Sequence, residues 1–134
     1  MNIDKAEKGR AAEDAALLLY LERGARLLER NYRAKSGELD LILEEFATGR
    51  SGCAPGEVEL VFVEVRSRAP GDWVGGLESV DGKKLAKIRH AMKLFLADYT
   101  GPATRVRLDI LAWDGQVWER VEDVIFPVGR QVEF

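Results

Sequence analysis

The stretch Glu57 to Ser67, EVELVFVEVRS, decides how the rest of the chain is read. Val58, Val61, Phe62, Val63 and Val65 form a nearly continuous apolar run of strand length. A strand with one wet face alternates apolar and polar residues, whereas an unbroken run belongs to a strand covered on both faces. This segment is therefore predicted to be a central strand with helices on either side. It also holds an anomaly, because Glu64 interrupts the run and Arg66, two residues on, projects from the same face.

The flanking sequence supplies the helices. Lys5 to Arg23 reads as an amphipathic helix with Asp4 as its N-cap and Gly24 as its stop. Ala12, Ala15, Ala16, Leu19 and Tyr20 fall at helical spacing along it. Asp81 to Tyr99 is the second helix, with Leu85, Ile88, Met92, Phe95, Leu96 and Tyr99 on one stripe. Lys83, Lys84, Lys87 and His90 fall on its opposite side, and Gly101-Pro102 ends it.

Between the helices, Arg26 to Tyr32 is a short strand, Asn31 to Gly37 carries turn chemistry, and Glu38 to Glu45 (ELDLILEE) is a second strand. Phe46 to Gly56 is a Gly/Pro/Ser-rich hairpin loop, and Ala69 to Gly76, with Trp73 and Gly75-Gly76, is another loop. Arg105 to Trp113 (RVRLDILAW) is a strand, and Val117 to Phe126 is a weaker strand or tail. The order α-β-β-β-α-β, with room for one more strand, makes a mixed sheet flanked by helices.

Composition narrows the function classes. At 134 residues and 46% hydrophobic content the chain suits a single domain over residues 1–134 with one core. Charged residues make up 32%, and no apolar run has the length of a membrane span. The mixed-charge start lacks a secretory h-region, so a cytoplasmic location without membrane association is expected. One cysteine and one histidine exclude an internal disulfide and a Cys/His zinc cluster. Cys53 has no base near it in sequence, and no GxGxxG or Walker pattern occurs. The net charge of −3 is low for a general nucleic-acid binder, so the distribution of basic residues matters more than their sum.

The chemistry points to Asp40 inside ELDLIL and Glu64 inside VFVEV. An unpaired carboxylate in an apolar strand is costly, so each needs a partner, a metal or a cleft. Two carboxylates converging from adjacent strands make an all-oxygen site of the kind that holds Mg²⁺. Arg107 and Asp109, also two apart on a strand, are read as a structural ion pair. His90 is read as a surface residue.

Glu13 within GRAAEDAALLLYLERG, then RNYRAKSGELDLI, VFVEVRSR, SVDGKKLAKI and RVRLDI together resemble the YraN family. That family is grouped with the PD-(D/E)XK nuclease superfamily and is similar to archaeal Holliday-junction resolvases. The resemblance implies a restriction-endonuclease-like αβββαβ core and a metal-dependent DNA endonuclease that acts on branched or damaged DNA. It implies Glu13, Asp40 and Glu64 as ligands of Mg²⁺ or Mn²⁺, the backbone carbonyl of Val65 as a further ligand, and Glu13, Asp40, Glu64 and Arg66 as the catalytic set. Arg66 stands where a lysine is usual, and Lys84 matches another family lysine. Lys83, Lys84 and Lys87 are the expected DNA contacts, and resolvase-like relatives imply a homodimer. Two other classes stay open: a nucleic-acid-binding module of the same fold without turnover, and a structural partner whose acids only ion-pair.

Overall fold

The computed structural model describes residues 5–35, 37–46, 56–67, 82–113 and 118–121. The elements are α1 (Lys5–Glu22), β1 (Arg26–Ala34), β2 (Gly37–Phe46), β3 (Val58–Ser67), α2 (Gly82–Asp98), β4 (Arg105–Trp113) and β5 (Trp118–Val121). This is the expected αβββαβ order with one strand added. Asp4, Cys53, Asp81, the Ala69 to Gly76 loop, most of the Phe46 to Gly56 loop and the outer part of the Val117 to Phe126 segment lie outside the described residues. No helix among the described residues is long and apolar enough to cross a membrane.

The five strands lie in the order β1-β2-β3-β4-β5. All neighbouring pairs are antiparallel except β3–β4, which runs parallel from Glu59↔Arg105 to Ser67↔Trp113. A parallel pair needs a long crossover, and α2 lies in that connection. As EVELVFVEVRS predicts, β3 is the middle strand and is buried on both faces. Leu60 and Phe62 pack with Ile88, Ala91 and Met92 of α2, while Val61 and Val63 pack with Ala16 and Tyr20 of α1.

Helix α1 meets the sheet through Ala12, Ala16 and Tyr20, all buried at a four-residue spacing. The two small residues let the helix sit low enough for Tyr20 to reach the strands. The helix ends at Gly24, whose φ of 87° is strained for any residue with a Cβ.

The first turn departs from expectation. β1 continues through Tyr32 to Ala34, and its last residues pair as Arg33↔Glu38 and Ala34↔Gly37. Asn31 has a φ of 53°, a left-handed conformation that asparagine tolerates. Its turn propensity is therefore spent inside the strand rather than ending it.

Candidate functional site

The site begins where two strands part. The β2–β3 ladder runs from Phe46↔Val58 to Leu41↔Val63 and goes no further, although both strands continue. Leu39 and Ile42 both belong to the α2-side cluster, whereas Leu41 and Leu43 belong to the α1-side cluster. Strict two-residue alternation is thus broken between Leu39 and Ile42, and Asp40 sits at the break. Its Oδ2 accepts a hydrogen bond from the Val65 backbone N–H at 2.6 Å, satisfying a donor just beyond the end of the ladder.

Glu64 lies on β3 two residues after Phe62, on the face turned toward α2, and is buried. The Asp40 and Glu64 carboxyl groups come close enough for each to feel the other across the gap between the strands. Burial is the main reason that the Asp40 carboxyl is pushed up to about 8, followed by the negative charge of Glu64 and the contact with it. The Val65 N–H pulls the other way, and the charge of Glu13 adds to the rise. Glu13, projecting from α1, is itself held above the usual carboxylate range by burial, against the pull of Arg30. Arg30 lies 3.5 Å from Glu13 and 2.9 Å from Asp14.

Two cations address the same oxygen of Glu64. Lys84 Nζ approaches Oε2 at 3.0 Å, and Arg66 Nη1 lies 3.6 Å from it. The Glu64 side chain is 6% exposed, against 46% for Lys84. The carboxylate is therefore interior and its lysine partner stands at the rim. The structure brings Asp40, Glu64, Val65, Arg66 and Lys84 together. Glu13 is near enough to act on the charge of Asp40, but no three acidic, histidine or cysteine groups among the described residues close into a metal-holding cluster.

Outside this pair runs a basic track. A cleft of about 400 Å³ is lined by Gly37, Glu38, Glu64, Lys83, Lys84 and Lys87. A second cleft, of about 430 Å³, shares Gly37, Glu38 and Lys87 and adds Arg33 and Lys35. Gly37 makes this possible, because a Cβ there would lie 2.6 Å from the Lys87 backbone oxygen. Only a glycine lets the start of β2 approach α2 so closely and bring the helix lysines beside Glu64. His90 is exposed and lines neither cleft.

Arg107 and Asp109 form the expected ion pair, within a larger network. Arg107 Nε donates to Asp109 Oδ1 at 2.9 Å and Nη2 to Oδ2 at 3.0 Å, a bidentate pairing. Its remaining donors reach Glu59 at 2.9 Å and Glu45 at 3.0 Å, and the Tyr20 hydroxyl donates to Asp109 at 2.7 Å. The roles of Glu45, Glu59 and Arg30 were missed in the sequence. Each is a charged residue near a strand end or edge, and only Arg107, inside RVRLDIL, signals that a buried counter-charge is needed.

A family model described as Uncharacterised protein family UPF0102 matches residues 12–113, a span that includes Glu13, Asp40, Glu64, Arg66 and Lys84. The UPF0102 protein of Pseudomonas savastanoi pv. phaseolicola is 39% identical over 113 residues, covering 84% of this chain and 83% of its own. The UPF0102 protein of Stutzerimonas stutzeri is 43% identical over 93 residues, covering 69% and 68%. That of Ralstonia nicotianae is 36% identical over 121 residues, covering 88% and 85%.

Proposed function

We propose that this chain, which belongs to the UPF0102 family, the YraN family that its motifs resemble, is a metal-dependent DNA endonuclease. One observation carries the reading: half-buried Asp40 and buried Glu64 meet where β2 and β3 part, and Glu64 lines a cleft with Lys83, Lys84 and Lys87. The donor set fits Mg²⁺ or Mn²⁺. It is all oxygen, and a cation there would offset the Glu64 charge that helps to raise Asp40. Asp40, Glu64 and the Val65 carbonyl would hold the ion, with Glu13 joining them when Arg30 yields it. When bound, such an ion lowers the pKa of a water and offsets charge building on the phosphorus oxygens.

The other roles belong to the protein's own side chains. Lys84 stabilises the scissile phosphate and orients the attacking water. A guanidinium is no general base, so the part of Arg66 is electrostatic. Lys83 and Lys87, continued by Lys35 and Arg33, hold a phosphate backbone without reading bases. A homodimer would set two such sites against two strands.

The presence of Arg66 where a lysine is usual favours a second reading, a DNA-binding module without turnover. Purified protein with plasmid, single-stranded and four-way-junction DNA separates the two. Nicking that needs Mn²⁺ or Mg²⁺ and disappears in Asp40→Asn and Glu64→Gln is expected. Salt-sensitive binding with no cleavage of any substrate would leave the module, and no binding even at low salt would remove both readings.

A further inference from the structure

At the opposite end of α2, roughly 20 Å along the helix from Lys84 at 1.5 Å per residue, lies a cleft of about 490 Å³ that the nuclease reading does not use. Three aromatic rings line it: Tyr32, Phe95 and Tyr99. Phe95 stands edge-on to Tyr32 at 5.4 Å between centroids and lies 6.0 Å from Tyr99. Three carboxylates share the lining, Glu29, Glu44 and Asp98, against one cation, Arg26.

The electrostatics there are unbalanced. Asp98 is the last residue of α2, where the helix dipole is already negative and a cation would be the favourable neighbour. The Glu44 side chain is 10% exposed, and Tyr99 donates to its Oε2 at 2.6 Å. Among the described residues, the ion pair at its Oε1 is with Arg26, at 4.0 Å, beyond hydrogen-bond distance, and Arg26 is 78% exposed. The Tyr32 hydroxyl is held above its ordinary range, first by burial and then by the charges of Glu29 and Asp98. A Cβ at Gly101 would collide with both the Tyr99 hydroxyl and the Glu44 carboxylate, so the glycine keeps this end of the cleft open.

We infer that this cleft is a binding site for the guanidinium group of an arginine side chain presented by a partner protein. Aromatic faces attract cations, and arginine stacks on them while its planar fork pairs with a carboxylate. A bare ammonium or metal ion would leave most of the cleft empty. A protein source follows from the position of β1, which supplies Arg26, Leu28, Glu29 and Tyr32 and pairs only with β2 among the described strands. A chain segment lying along that sheet edge would drop its side chain into the cleft. Arg26 occupies the margin loosely and competes for the same carboxylate.

The test is a nuclear magnetic resonance titration of the ¹⁵N-labelled full chain with a short, end-blocked arginine peptide. Its lysine and citrulline counterparts and free arginine serve as comparisons. Saturable shifts centred on Tyr32, Phe95 and Tyr99 are expected with the arginine peptide, and none with citrulline. Glu44→Gln should weaken binding by about tenfold or more, because it removes a charge from a hydrogen-bonded contact. Asp98→Asn, an exposed change that leaves the core intact, should weaken it by about threefold, and Arg26→Ala should tighten it by a similar factor. Equal response to citrulline or lysine, unchanged affinity in both acidic variants, or shifts outside this cleft would overturn the assignment. Free arginine binding as tightly as the peptide would overturn the protein source.

Discussion

Two sets of acids sit on this sheet, one buried around Arg107 and one where β2 and β3 part, and they are handled in opposite ways. Around Arg107, Asp109 receives two guanidinium bonds and a tyrosine hydroxyl, while Glu45 and Glu59 share the remaining donors of the same fully buried arginine. Burial and the Asp109 charge raise the Tyr20 hydroxyl so far that it stays protonated and remains a donor. At Asp40 and Glu64 the acids face each other, and their cations, Lys84 and Arg66, stand nearer the rim. The first network surrounds its acids with donors, helped at its margin by Arg23, 2.9 Å from Glu45, and Arg105, 3.8 Å from Glu59. The second sets two acids against each other and leaves a place where an incoming cation is favourable.

The contrast breaks most visibly at Arg107. Arg107→Met strands three buried carboxylates, and removing one partner of such a network costs about 3–5 kcal/mol. Urea unfolding should record that loss, and a cost below about 1 kcal/mol would mean that Arg23 and Arg105 compensate from the rim. Next in size are the cations of the open pair. Arg66→Ala should lower metal-dependent cleavage by about 10²-fold or more, as for removal of one charge-stabilising donor, with DNA binding falling much less. Arg66→Lys should keep or raise cleavage, and Lys84→Ala should cost at least as much as Arg66→Ala. If Arg66→Ala cleaves like the wild type, Arg66 only supports Glu64.

A pH series probes this opposition of acids directly. The Asp40 carboxyl is pushed up to about 8 in the fold, against an ordinary value of 3.8, so between those values the folded state holds a proton that the unfolded chain has released. That contribution to stability is complete below pH 3.8 and is lost as the pH rises through 8. Metal-free protein should therefore melt at a lower temperature at pH 8.5 than at pH 5, and Mn²⁺ should recover more at the higher pH. A flat profile would show that Asp40 carries no strain. The smallest effect is expected from Asp40→Asn, which should leave stability unchanged or higher by up to about 1 kcal/mol while abolishing the Mn²⁺-dependent rise in Tm. A loss of several kcal/mol would place Asp40 with the Arg107 network.

Much of the fold was legible because its strongest signals are periodic. The unbroken run in β3, the four-residue stripe of α1 and the stripe of α2 each reflect burial on a known face. Asp40 and Glu64 were legible for the same reason inverted, as acids at positions where burial is expected. The extension of β1 through Asn31 was not legible, because cross-strand pairing with Glu38 and Gly37 overrides local turn propensity. Nor was the placement of the helix lysines. They do lie off the apolar stripe, but the close approach at Gly37 brings that flank against Glu64, and sequence spacing carries no distance between elements.

Glu45 and Glu59 stand directly opposite each other in the β2–β3 register. Like charges so placed repel, and the cation that reconciles them arrives on β4, more than forty residues after Glu59. Arg23, at the end of α1, reaches Glu45 at 2.9 Å, but the buried Glu59 gains its full complement of donors only when β4 docks. The network therefore ties the burial of acids on β2 and β3 to the arrival of a third strand.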